Sequence, residues 1–216
     1  MPFDFLKRGK QRDAAPASPA GSDAVIPAAR AVPFDGLTEE RRIDGLMHFD
    51  GRLSDALNKR EEIALSGVRW APIDGSAPLA DAPGIKAVDP YDLIIVLAAD
   101  ATLPPLTDSE RAAHKVHKVS YDVALEAPPF RVVGTVYLHP GSQPERLLDR
   151  ATEMFVPVVD AVAYLGDHPI GEQMDAILVN RFYLRGVDQV DRRTGQRHQK
   201  LPGAPLGGVS WQDRSR

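Results

Sequence analysis

Two stretches of sequence decide how the chain is read: Arg41-Arg-Ile-Asp-Gly-Leu-Met-His-Phe49 and Phe130-Arg-Val-Val-Gly-Thr-Val-Tyr-Leu138. In the first, Ile43, Gly45, Met47 and Phe49 fall on one side of an extended chain, with Arg42, Asp44 and His48 on the other. In the second, Val132, Gly134, Val136 and Leu138 oppose Arg131, Thr135 and Tyr137. Alternation with period two is the pattern of a half-buried strand. Glycine holds the same inward slot in both stretches. An inward glycine weakens a strand, so it marks close backbone approach or a bend. Its recurrence in register points to one packing solution used twice.

The flanking sequence extends the parallel. Each stretch turns at a glycine, Gly51 or Gly141, into a short helical pattern. Leu53, Ala56 and Leu57 form an i, i+3, i+4 stripe. Ser142-Gln-Pro-Glu145 reads as a capping box with proline in the first turn, followed by the apolar Leu147, Leu148 and Ala151. Buried strands are expected over Ile63–Trp70 and Phe155–Leu165. Turns follow at Asp74-Gly75 and at Gly166-Asp-His-Pro169, and closing strand regions at Ile85–Ala98 and Met174–Val190, where Val88-Asp-Pro-Tyr91 matches Val179-Asn-Arg-Phe182. Between the two copies lie Leu103-Pro-Pro-Leu106, a capping box at Thr107-Asp-Ser-Glu110 that starts a connecting helix, and an extra strand with Val119, Tyr121, Val123 and Leu125 on one face. Pro128-Pro129 breaks that strand into a hairpin. The expected class is α+β with mainly antiparallel sheet: two tandem β-α-β-β repeats packed by a pseudo-twofold.

The run Gly51-Arg-Leu-Ser-Asp-Ala-Leu-Asn58, set between a strand and a buried strand, resembles a small bacterial domain of unknown function. The resemblance covers Arg41–Ala98 well and the second copy more loosely, since Pro144–Asp149 lacks the Arg-Leu-Ser-Asp portion. It implies a fold unit and brings no catalytic residues with it.

The ends differ from the body. Residues 1–36 hold five prolines and eight alanines and read as a disordered tail and linker. Residues 191–216, with Thr194-Gly195, Pro202-Gly203 and Gly207-Gly208, read as a disordered basic tail. Repeat one is then assigned to 37–100, and 101–190 to the connecting helix, extra strand and repeat two. The first tail carries +1 and the last +4, so the chain's net charge of -4 leaves -9 on residues 37–190. Such tails either keep the chain soluble or seek an anionic partner. With no cysteine, a disulfide framework, a thiolate metal site and a thiol nucleophile are excluded. The longest apolar run, Leu93–Ala99, is far short of the ~20 residues of a spanning helix. No apolar leader opens the chain, and a cytoplasmic location is expected.

Signatures of chemistry are sparse. The sequence contains no phosphate-binding loop, dinucleotide fingerprint or nucleophile elbow. His114 and His117 form the one close histidine pair, but Lys115 and Lys118 beside them disfavour a cation, and no metal or cofactor is expected. His48 and His139 end the first strands of the two copies at non-equivalent slots. Arg52, Asp55 and Asn58 make a polar helix face that reads either as solvated surface or, with the Asp149 region, as a ligand site between the repeats.

The most suggestive segment is Phe3, Phe5 and Leu6 followed by Lys7, Arg8 and Lys10 on a long tether, an apolar cluster with a basic flank suited to docking in a protein groove or on a membrane surface. Trp211, near Arg214 and Arg216, makes a lesser case of the same kind. The leading expectation is a non-enzymatic interaction protein, a scaffold or adaptor, whose terminal segments dock a protein partner. The alternative is a binder of nucleic acid or anionic membrane surface through its tails, with Arg192, Arg193, Arg197 and Lys200 as contacts. A third class is a small-ligand protein or enzyme with its site between the repeats. Exposed strand edges leave homo-oligomerisation open.

Overall fold

The computed structural model describes residues 30–49, 51–98, 118–149 and 153–191. In chain order these form β1 (Arg30–Leu37), β2 (Arg41–Phe49), α1 (Leu53–Asn58), β3 (Ile63–Pro72), β4 (Ala80–Asp81), β5 (Ala87–Val88), β6 (Ile95–Ala98), β7 (Val119–Ala127), β8 (Phe130–Leu138), a 3-10 turn (Pro144–Leu148), β9 (Phe155–Leu165), β10 (His168–Pro169), β11 (Met174–Asn180), a second 3-10 turn (Arg181–Tyr183) and β12 (Gly186–Gln189). The architecture is mainly antiparallel sheet with little helix. One path of hydrogen-bonded neighbours runs β12-β7-β8-β9-β11-β6-β1-β2-β3-β4, with β10 beside β9 and β5 beside β3. No helix among the described residues is long and apolar enough to cross a membrane.

The two hairpins share a register. Leu37 pairs with Arg42 and Glu126 with Arg131, and 126 − 37 and 131 − 42 both equal 89. The ladder then slips at the same place in each: between Asp44 and Leu46 against β3, and between Val133 and Thr135 against β9. Two residues of the outer strand oppose one glycine at each slip, the geometry of a β-bulge. The bulged residue has positive φ in both, Gly67 at 60° and Asp160 at 48°. Glycine adopts this conformation without penalty, while aspartate tolerates it because its short side chain bonds locally. A Cβ on Gly45 would stand 3.0 Å from the Ser66 carbonyl, and one on Gly134 would stand 2.8 Å from that of Val159. Close backbone approach is therefore what both inward glycines serve.

The apolar core lies on both sides of β6 and β11. Val96, Ala98, Ala176 and Leu178 join Val32, Phe34, Met47, Leu57, Ile63 and Leu65 in one cluster. Ile95, Leu97, Ile177 and Val179 join Val123, Phe130, Val132, Leu147 and Val158 in the other. Strands covered on both faces need a continuous apolar run, which is why Leu93–Ala98 carries no polar residue.

Several elements depart from expectation. The N-terminal tail, read as running to residue 36, gives way at Arg30 to β1, which buries Val32, Phe34 and Leu37. Its period-two signal is short and interrupted by Pro33. β6 pairs with β1 only at Gly36 and Leu37, so the missing N–H of Pro33 deprives no ladder there. The capping box at Ser142–Glu145 is not formed. Gln143 is the N-cap, makes no side-chain cap bond, and heads a 3-10 turn of five residues. β3 is half-exposed rather than buried, because its outer side faces solvent between the short β4 and β5. Each closing region is also two strands separated by a turn: β5 and β6 around Asp89–Leu93, β11 and β12 around Asn180–Leu184.

Candidate functional site

Two places gather polar side chains. The first is the seam between the halves, built on those two turns. Asp89 Oδ1 accepts the Tyr91 N–H at 2.8 Å, and Asn180 Oδ1 accepts the Phe182 N–H at 3.0 Å, the same local turn made twice. Asn180 is wholly buried. Its Nδ2 donates to the Leu93 carbonyl at 2.8 Å and to that of Pro90 at 3.3 Å, and its N–H donates to Ile94 O at 2.9 Å. The Tyr183 hydroxyl donates to Tyr91 O at 3.0 Å, and the Tyr91 and Phe182 rings lie 5.7 Å apart. Burial, aided by Asp92, Glu39 and Asp89, raises the Tyr183 pKa. At the other end of the seam, Asn58 Nδ2 donates to Phe155 O at 3.3 Å while the Phe155 N–H donates to Asn58 Oδ1 at 2.8 Å. The two Asx turns are local, and the Asn180 amide, the Tyr183 hydroxyl, the Tyr91–Phe182 ring pair and the Asn58–Phe155 bonds join one half of the molecule to the other.

The second place is a cleft of about 400 Å³ at the end of β8, between the 3-10 turn Pro144–Leu148 and the start of β9. Its floor includes Val136, Leu147 and Val156, and Lys118, His139, Arg146, Arg181, Asp149 and Glu153 supply its charged and titratable groups. Arg181 Nη1 donates to the Asp149 carbonyl at 3.1 Å. Burial lowers the Arg181 pKa, and Glu153 and Asp149 oppose that shift. Chemically this is a partly apolar recess with guanidinium donors at its wall. A wider and more open recess of about 660 Å³, between Ser120–Asp122 and Gly141–Glu145, offers hydroxyl, carboxamide and carboxylate groups instead; there Asp122 accepts a 2.6 Å bond from Thr135. Among the described residues no group of three or more His, Asp or Glu could hold a metal ion.

The residues singled out in the sequence fare unevenly. Phe3, Phe5, Leu6, Lys7, Arg8 and Trp211 lie outside the described residues, as do His114, His117, Arg192, Arg193, Arg197, Lys200 and the Thr107 capping box. Asn58 joins the seam rather than a solvated helix face. Asp149 borders the cleft without Arg52 or Asp55, so these three do not form one site. Between the halves, β6 and β11 meet through buried apolar side chains. Lys118, Arg146 and Arg181 carry no motif in the sequence, since they come from three distant segments that only the ladder brings together. His48 faces Ser66 Oγ at 3.4 Å on the open side of the sheet.

No family model, no curated protein and no solved structure matches this chain.

Proposed function

We propose that the chain is a non-enzymatic interaction protein of the cytoplasm, a scaffold or adaptor whose body is one β-α-β-β unit encoded in tandem and whose terminal segments dock partners. The tandem reading is supported by the matching registers, by the bulges at Gly45 and Gly134, and by a third strand pair that recurs at a similar spacing. Ile63 pairs with Val88 and Val156 with Val179, where 156 − 63 is 93 and 179 − 88 is 91. A pseudo-twofold is supported by Tyr91 and Phe182, which hold matching positions and touch each other, as residues beside a twofold axis do.

The observation that carries the functional reading is the seam. An interface between units is a common place for a ligand site. Here it is filled by Ile95, Leu97, Ile177 and Val179, and the side chains of Asn58 and Asn180 are bonded across it. Capture of partners by the full-length chain, compared with Phe3→Ser/Phe5→Ser and with Trp211→Ser, tests the proposal. Loss of a defined partner in the first variant, with a smaller loss in the second, is the expected result. The same partners in all three would refute terminal docking. Capture of nucleic acid or anionic vesicles that weakens steeply with salt would favour the tails as electrostatic binders instead.

A further inference from the structure

We infer that the cleft at the end of β8 is a binding site for a small organic oxyanion, a carboxylate or phosphate ester carrying an apolar group. The argument begins with the other half of the molecule. Gly51 and Gly141 both have positive φ and lie 141 − 51 = 90 positions apart, and the same spacing relates the buried Leu57 to Leu147. In the first half this corner is packed shut: Phe49, Leu53 and Ala56 lie against the core, and Pro90 is buried. The corresponding places in the second half hold Leu138, Gln143, Arg146 and Arg181. Gln143 and Arg146 turn to solvent, Gln143 toward the neighbouring wider recess, while Leu138, Arg146 and Arg181 line the open cleft. Two apolar side chains and a proline have given way to a carboxamide and two guanidinium groups on an otherwise matching backbone.

Charge points the same way. Residues 37–190 are acidic overall, yet Lys118, Arg146 and Arg181 converge on one recess, outnumbering Asp149 and Glu153. Guanidinium groups bind carboxylate and phosphate through paired N–H donors, with more geometric selectivity than an ammonium has. The volume lies within the range of small-molecule sites, and Val136, Leu147 and Val156 give the apolar part of a ligand a dry floor. Asp149 and Glu153 restrain Arg181, and a bare inorganic anion leaves the apolar floor of Val136, Leu147 and Val156 unused, so one oxyanion group on an organic body is the best fit. This inference stands on the cleft and does not require the tails to dock anything.

The test uses the full chain with phenyl phosphate and benzoate as probes and benzyl alcohol as the neutral control, read by calorimetric titration. Saturable binding of either oxyanion below about 10 mM is expected, and whichever binds more tightly names the ligand class. Arg181→Gln should weaken it about tenfold, and Arg146→Gln and Lys118→Gln about threefold each, while Arg69→Gln on the opposite half leaves it unchanged. Arg146 and Lys118 are exposed, so their variants remain informative even where Arg181→Gln perturbs folding. No saturation by either oxyanion would overturn the proposal. So would equal binding of benzyl alcohol, or unaltered affinity in both exposed-residue variants.

Discussion

β6 and β12 occupy matching places in the ladder and differ in nearly every side chain. β6 lies beside β1 through Gly36 and Val96, and β12 lies beside β7 through Leu125 and Val187. Yet one reads Ile95-Val-Leu-Ala98 and the other Gly186-Val-Asp-Gln189. β6 has β11 on its other side and is buried on both faces, whereas no described strand pairs with the far side of β12. The turns that precede these strands differ in the same way. Asn180 is buried against carbonyls of the other half, while Asp89, its counterpart, accepts the same local bond and faces solvent. Ladder position thus sets the backbone, and what covers the strand sets the side chains. An amide suits position 180 because two carbonyl oxygens there need donors; a carboxylate suits position 89 because water covers it.

That contrast is easiest to break at Asn180. Asn180→Asp removes both donors and sets a carboxylate against the Pro90 and Leu93 carbonyls with no water to screen it. A loss of about 3–5 kcal/mol in denaturant unfolding at neutral pH is expected, as for an uncompensated buried charge. Burial raises the pKa of the introduced carboxyl, so the loss should shrink as pH falls and the protonated form regains a donor. The reciprocal change, Asp89→Asn, should stay within about 0.5 kcal/mol of the parent. Equal effects at the two positions would mean that the seam is wet and that the contrast between the turns is mistaken.

The inward glycines sharpen the comparison at a smaller scale. A Cβ at Gly134 would meet Val158 Cγ1 at 2.7 Å, Val159 O at 2.8 Å and Ala161 Cβ at 2.9 Å. At Gly45 the nearest atom is Ser66 O at 3.0 Å, and the next lies at 3.6 Å. Gly134→Ala should therefore cost about 2–3 kcal/mol by overpacking, and Gly45→Ala about 1 kcal/mol. Thermal unfolding of the two variants checks the order. A larger loss at Gly45 would show that the first half is the tighter of the two.

How far the fold could be read follows from where its signals are local. β2 and β8 were legible because their alternation runs over four inward slots, and the hairpin at Pro128-Pro129 was legible from its turn residues. β1 was missed because its period is carried by Val32 and Phe34 with Pro33 between them. The split of each closing region was missed because Val88-Asp-Pro-Tyr91 and Val179-Asn-Arg-Phe182 match as if both were strand, whereas the turn in each is made by a side-chain bond of Asp89 or Asn180 that periodicity does not register. The cleft is non-local throughout: Lys118, Arg146 and Arg181 meet only once β7, β8, β9 and β11 are paired. Even the bulge is half hidden, since Gly67 advertises its left-handed backbone and Asp160 does not.

The smallest effect concerns the turns once more. Tyr183 and Asp92 hold matching places, 183 − 92 being 91, and Asp92 is one of the groups that, after burial itself, raise the Tyr183 pKa. The neutral hydroxyl donates to Tyr91 O, so the folded state holds that proton more tightly than the unfolded chain, in which tyrosine titrates near 10. A group raised in this way contributes stability that is fully present below about pH 10 and is lost as pH climbs through the higher folded value. Tyr183→Phe has no such proton. Its deficit relative to the parent should be under about 1 kcal/mol at neutral pH, hold constant to about pH 9, and narrow above pH 10. Asp92→Asn removes one source of the shift and brings the folded value closer to the unfolded one, so the narrowing should still begin near pH 10 but be smaller and end at lower pH when measured against Asp92→Asn/Tyr183→Phe. A parent–variant difference that stays flat to pH 11.5 would detach Tyr183 from the seam and leave the Asn180 and Asn58 amides to fasten it.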